Sequence, residues 1–109
     1  AQRGADSPSP VFSVGELTVD MGTRRVAVRE TEIRLTPIEY KLLTTLVRNA
    51  GKVLTHRFLL DEVWGKNHTR ENHYLRVFMA SLRRKIEIDS AQPRYLLTEQ
   101  GVGYRLAYE

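Results

Sequence analysis

The sequence predicts an α+β domain: a small antiparallel sheet, then three helices, then a β-hairpin. Three observations predict it. Between residues 11 and 35, short β-type runs alternate with turn residues. From 36 to 86 apolar residues recur at helical spacing, interrupted by breaks at Asn49-Ala50-Gly51 and around Gly65. Between 94 and 108, two further β-type runs flank Glu99-Gln100-Gly101-Val102.

Residues 1–10 are small, polar and broken by two prolines, so they read as an interdomain linker or tail. Lacking an initiator Met, this stretch suggests either a longer protein cut at this point or a processed terminus. Residues 11–109 are expected to form one domain, since 109 residues are too few for two cores. The expected strands are Val11-Phe12-Ser13-Val14, Leu17-Thr18-Val19-Asp20, Arg25-Val26-Ala27-Val28 and Glu32-Ile33-Arg34-Leu35. Met21-Gly22-Thr23 and Arg29-Glu30-Thr31 serve as turns. The arginines of this sheet are offset by Glu16, Asp20, Glu30 and Glu32, which makes it a scaffold rather than a binding face.

Thr36-Pro37-Ile38-Glu39 is a helix start with a threonine cap, proline at the first helical position and glutamate placed to complete a capping box. Leu35 and Tyr40 stand where a hydrophobic staple would sit. Leu42, Leu43, Leu46 and Val47 face inward, and Asn49-Ala50-Gly51 stops the helix. After an extended Lys52-Val53-Leu54, Thr55 caps a second helix, residues 56–63, with Leu59, Leu60 and Val63 inward and Asp61 and Glu62 outward. Two helices so close, joined through a glycine, have a helix-turn-helix connection.

The third helix, expected over 71–86 with Thr69 or Asn72 as its cap, organises the rest. At about 100° per residue, Leu75, Phe78, Met79, Leu82 and Ile86 share one side while His73, Arg76, Ala80, Arg83 and Arg84 share the other. A basic face with a small residue at its centre suits close approach to a surface dense in negative charge, as DNA is. The net charge is +4, and residues 52–94 carry nine Lys or Arg against five Asp or Glu, so the whole excess lies around this helix.

The chain has no cysteine, which removes disulfides, thiolate metal sites and a cysteine nucleophile. His56, His68 and His73 lack the spacing of a metal set. No nucleophile motif, carboxylate pair or phosphate-cradling glycine loop emerges, so no enzyme activity and no cofactor are expected. No apolar run approaches the roughly 20 residues of a membrane span, and the chain reads as cytoplasmic.

A sheet, three helices and a hairpin directly after a basic helix describe a winged helix-turn-helix. At this point Leu35-Thr36-Pro37-Ile38-Glu39-Tyr40-Lys41-Leu42-Leu43, Leu59-Leu60-Asp61-Glu62-Val63-Trp64-Gly65, Leu82-Arg83-Arg84-Lys85-Ile86 and Gly101-Val102-Gly103-Tyr104-Arg105-Leu106 become specific. In that order they resemble the C-terminal effector domain of OmpR/PhoB-type bacterial response regulators, over residues 11–109. His73-Tyr74-Leu75-Arg76 points to the branch regulating potassium-transport genes. The resemblance implies a transcription factor whose receiver domain is phosphorylated by a sensor kinase. Two copies would then bind directly repeated half-sites in double-stranded DNA and recruit RNA polymerase.

Within that reading, Arg76 and Arg83 stand two turns apart on one flank, suited to guanine edges or to flanking phosphates. Ala80 suits a thymine methyl, and His73 and Val77 are further base-contact candidates. Arg84 and Lys85 are expected at phosphates or in solvent. Arg57 and the Thr55-capped helix start are phosphate candidates, because free N–H groups there favour anions. The resemblance adds Thr98 and Tyr104 as phosphate contacts. It also implies that the loop containing Trp64, Gly65, Lys66 and Asn67 meets the sigma subunit, with core packing as the alternative for Trp64. Gln100 stands where several relatives carry a minor-groove arginine, so a weaker wing contribution is expected. The rival reading is a protein-interaction module whose basic face meets an acidic partner.

Overall fold

The computed structural model describes residues 10–66 and 72–108. Its elements run β1 (Val11–Val14), β2 (Leu17–Asp20), β3 (Arg25–Val28), β4 (Thr31–Ile33), α1 (Pro37–Arg48), β5 (Val53–Thr55), α2 (His56–Trp64), α3 (Asn72–Ile86), β6 (Leu96–Glu99) and β7 (Gly103–Leu106). The first four strands form an antiparallel meander in the order β1-β2-β3-β4. Val14, Leu17, Val19 and Val26 from its inner face join one core with Leu42, Leu43 and Leu46 of α1, Leu59 and Leu60 of α2, and Leu75, Met79 and Leu82 of α3.

The last turn of the meander is tighter than the sequence suggests. Val28 pairs directly with Thr31, leaving only Arg29 and Glu30 in the loop. Both hold positive φ, at 55° and 67°, as a two-residue hairpin of the primed type requires. β4 therefore starts at Thr31 and ends at Ile33, one to two residues ahead of expectation. Leu35 lies outside the strand, directly before the α1 cap.

The α1 capping box is formed in full: Glu39 N–H donates to Thr36 Oγ1 at 3.3 Å, and Thr36 N–H donates to Glu39 Oε1 at 2.9 Å. Such a cap contributes roughly 1 kcal/mol. Thr44 and Thr45, buried mid-helix, return their hydroxyls to Lys41 O, so neither leaves an unmet polar group. α2 runs one residue further than expected, and Gly65 N–H closes it on Asp61 O at 2.9 Å. Asp61, expected outward, is half-buried. Its Oδ2 lies 3.7 Å from Arg57 Nε, and its buried Oδ1 has no hydrogen-bond partner among the described residues.

The hairpin is part of a larger unit. The extended segment between α1 and α2 is its third strand, in the order β5-β7-β6, with Leu54 opposite Tyr104 and Thr55 opposite Gly103. Gly103 permits this approach, because a Cβ there would lie 1.8 Å from Leu54 O. Gly101, at φ 75°, occupies the turn position where glycine avoids strain. Strand β6 begins at Leu96 rather than Arg94, because Glu87 takes the preceding backbone. Its buried carboxylate accepts from the N–H groups of Arg94, Tyr95 and Leu96 at 2.7, 2.9 and 2.7 Å.

Candidate nucleic-acid interface

α3 presents the apolar stripe the sequence implies: Leu75, Met79, Leu82 and Ile86 are buried, and Phe78 is partly so. The opposite arc is open, with His73, Arg76, Val77, Ala80 and Arg84 all exposed. Val77 keeps 45% of its surface, a large exposure for an aliphatic side chain on a well-packed helix. Glu71, the expected first residue of the helix, and Thr69, one candidate for its cap, lie outside the described residues.

The two flanks of α3 are held by polar side chains. On one flank the Arg83 fork donates to Leu96 O through Nε and Nη2, at 3.0 and 2.7 Å, and Nη2 donates to Thr98 Oγ1 at 2.7 Å. The same guanidinium lies 5.6 Å from the Tyr104 ring centroid. Burial pulls the Arg83 pKa below its ordinary value, opposed by the nearby Tyr104 and Glu87 groups; arginine at such a site keeps its charge. Arg83, expected at a base edge, is thus placed against the wing. The periodicity that put it beside Arg76 gave its angle on the helix but not the strand waiting there.

On the other flank Lys85 Nζ donates to Glu39 Oε1 at 2.6 Å, and the Ser81 hydroxyl donates to Glu39 Oε2. Lys85, expected at phosphate or in solvent, is tied to the start of α1. Glu39 is 2% exposed. Burial pushes its pKa up, but hydrogen bonds from Lys85, Ser81 and the Thr36 backbone, with the Lys85 charge, outweigh that and hold the carboxyl below its ordinary value. One side chain therefore completes the α1 cap and anchors α3.

The remaining candidates divide by their surroundings. Thr55 Oγ1 accepts from Phe58 N–H at 3.0 Å, so its hydroxyl is a cap, while Arg57 beside it keeps 73% of its side chain exposed. Thr98 is exposed next to Arg83, and Tyr104 is buried with its ring 5.5 Å from that of His56. Trp64 is half-buried with its ring 5.7 Å from Phe78. Gly65 is half-buried and Lys66 exposed; Asn67 lies outside the described residues. Gln100 is exposed at the tip of the wing. One residue and one strand pairing of structural weight were missed in the sequence: Glu87, taken as loop, and the pairing of β5 with the wing. A glutamate following an amphipathic helix looks like any solvated charge, and three residues of strand carry no sign of their partner.

Among the described residues no group of three His, Asp or Glu is arranged to hold a metal ion, and His68 lies outside them. No helix among the described residues is long and apolar enough to cross a membrane.

The family model described as "Transcriptional regulatory protein, C terminal" matches residues 30–106. The chain is 50% identical over 99 residues to the KDP operon transcriptional regulatory protein KdpE of Escherichia coli strain K12, covering 91% of this chain and 44% of that protein. It thus spans less than half the length of that relative. The fold matches the response regulator DrrB of Thermotoga maritima, an OmpR/PhoB homolog, with TM-score 0.83 and 31% identity over 90% of this chain and 44% of that one. It also matches the DNA binding domain of CpxR from E. coli, with TM-score 0.77 and 27% identity over 93% of this chain and all of that one. With its sheet, three helices and wing in matching order, the chain belongs to the C-terminal domains of OmpR/PhoB-type transcriptional regulatory proteins.

Proposed function

We propose that this chain is the effector domain of a two-component response regulator and binds a specific site in double-stranded DNA, with α3 in the major groove and the wing beside it. The observation that carries this reading is the outward arc of α3. Its exposed residues include the cations Arg76 and Arg84 around the small Ala80, and both flanks are held, so the arc faces outward from a fixed rod. A groove that admits an α-helix reads such side chains at base edges. The relatives support it: one is named as the regulator of an operon, another as a DNA binding domain.

In this proposal Arg76 reads a base, with His73, Val77 and Ala80 alongside. Arg84, Arg57 and the N–H groups at the start of α2 meet phosphates. Arg83 positions the wing, so that Thr98 and Tyr104 face the backbone, and Lys85 contributes through Glu39. Residues 1–10 link to a receiver domain acted on by a sensor kinase, a second copy occupies the adjacent half-site, and Trp64 to Asn67 face the sigma subunit. The role is binding, not catalysis, and its setting is the cytoplasm.

Selection from a random duplex library followed by sequencing tests it. The expected result is two similar half-sites in direct repeat, about one helical turn apart. Retention without a shared motif would reduce the role to phosphate binding. No retention at low salt would favour an acidic protein as the partner of this arc.

A further inference from the structure

Three cations stand on the side of α1 turned away from α3. Lys41 lies two residues, about 200° around the helix, from Glu39, which faces Ser81 and Lys85. Arg48 follows two turns later on the same face. Arg24 reaches over from the β2–β3 loop, its guanidinium 4.4 Å from the Tyr40 ring centroid. Among the described residues none of these three cations is ion-paired. They border a groove of about 330 Å³. Arg24 and Tyr40 also wall an adjoining recess of about 130 Å³, lined by Val26, Ile33 and Leu35.

The carboxylates of the nearby hairpins are directed elsewhere. Glu32 pairs opposite Ala27, on the sheet face away from Val26 and Ile33. Glu16 holds Arg29 at 2.8 Å, and Asp20 Oδ1 accepts from Gly22 and Thr23 N–H. The groove is therefore cationic, and its neighbouring recess is mixed, with the apolar Ile33, Leu35 and Pro37 beside the Arg24 side chain.

We infer that this paired groove and recess is a docking surface for an acidic polypeptide segment of a partner protein, one apolar side chain entering the recess while carboxylates meet Arg24, Lys41 and Arg48. Charge complementarity fixes the sign of the partner. The apolar part of the recess favours a polypeptide side chain over a duplex, whose outer surface towards such a groove is phosphate and sugar. Stacking on Tyr40 holds the Arg24 guanidinium in place with its N–H edge free for a carboxylate. This surface is distinct from the arc of α3 and does not depend on what that arc binds.

The test is an NMR titration of the 109-residue chain with a short peptide of Glu and Asp around one central leucine. Amide shifts are expected to cluster at Arg24, Tyr40, Lys41 and Arg48, and replacing the leucine with serine should weaken binding. Lys41→Glu combined with Arg48→Glu should weaken it about twofold to thirtyfold, the range for two exposed ion pairs, with amide dispersion retained as the check on folding. Shifts centred on α3, indifference to the leucine, or unchanged affinity in the double variant would overturn the proposal. So would a random duplex that shifts the same residues more strongly, since the groove would then be a phosphate site.

Discussion

Arg76 and Arg83 share a side-chain type and nearly the same angle on one helix, yet their surroundings give them different work. Arg76 is exposed, and no other described residue engages its fork, whereas Arg83 is engaged by β6. Arg76→Ala should cost about 1–3 kcal/mol on the selected site and relax preference at one base pair. Competition binding against duplexes changed at single positions would show it, and an equal loss on every duplex would make Arg76 a phosphate ligand. Glu39 offers a residue-scale test of stability. Its folded pKa lies below the ordinary value near 4.5, so between the two values the unfolded chain binds more protons. Its contribution is complete above about pH 4.5 and is lost as the pH falls through the folded value. Glu39→Ala, which removes the capping-box carboxylate and strands Lys85 and Ser81, should cost roughly 2–3 kcal/mol at neutral pH. Urea unfolding of both proteins across pH 3 to 7 should show the gap closing towards the acid end.

At the scale of elements, what the sequence discloses is what is local. The capping box needs four consecutive residues, and the buried stripe of α3 needs only its own 3.6-residue period, so both were legible. The outward arc was legible for the same reason, Arg83 excepted. What escaped was the meeting of distant segments: Arg83 with Leu96, thirteen residues on, and Val53 with Arg105 across the whole of α2 and α3. Nothing in a single window encodes a neighbour brought there by the core. Gly103 marks one such meeting, its need for glycine arising entirely from Leu54. Gly103→Ala should force β5 away from β7 and cost more than about 3 kcal/mol. Faster amide exchange at Leu54, Thr55 and Tyr104 than at Leu17 and Val19 would locate the damage in the wing sheet; a uniform change would not.

For the molecule as a whole, net charge of +4 is concentrated where the helices and wing lie, while the N-terminal sheet is nearly balanced. Duplex affinity should therefore fall linearly with salt on a log–log plot, at about −0.9 per phosphate neutralised. Arg84→Gln should reduce that slope by about one contact, and an unchanged slope would remove Arg84 from the phosphate set. The three N–H groups gathered by Glu87 carry a different consequence. Glu87 N–H itself closes on Arg83 O at 2.8 Å, so one residue ends α3 and sets the start of β6. The residues between, 88–93, hang outside that junction as a closed loop, and most of them are exposed. Their number is therefore free to change. Doubling a loop costs only about 0.6 kcal/mol, so a reporter peptide inserted after Ser90 should leave the melting temperature within a few degrees of the parent, offering a permissive site for a fluorescent label.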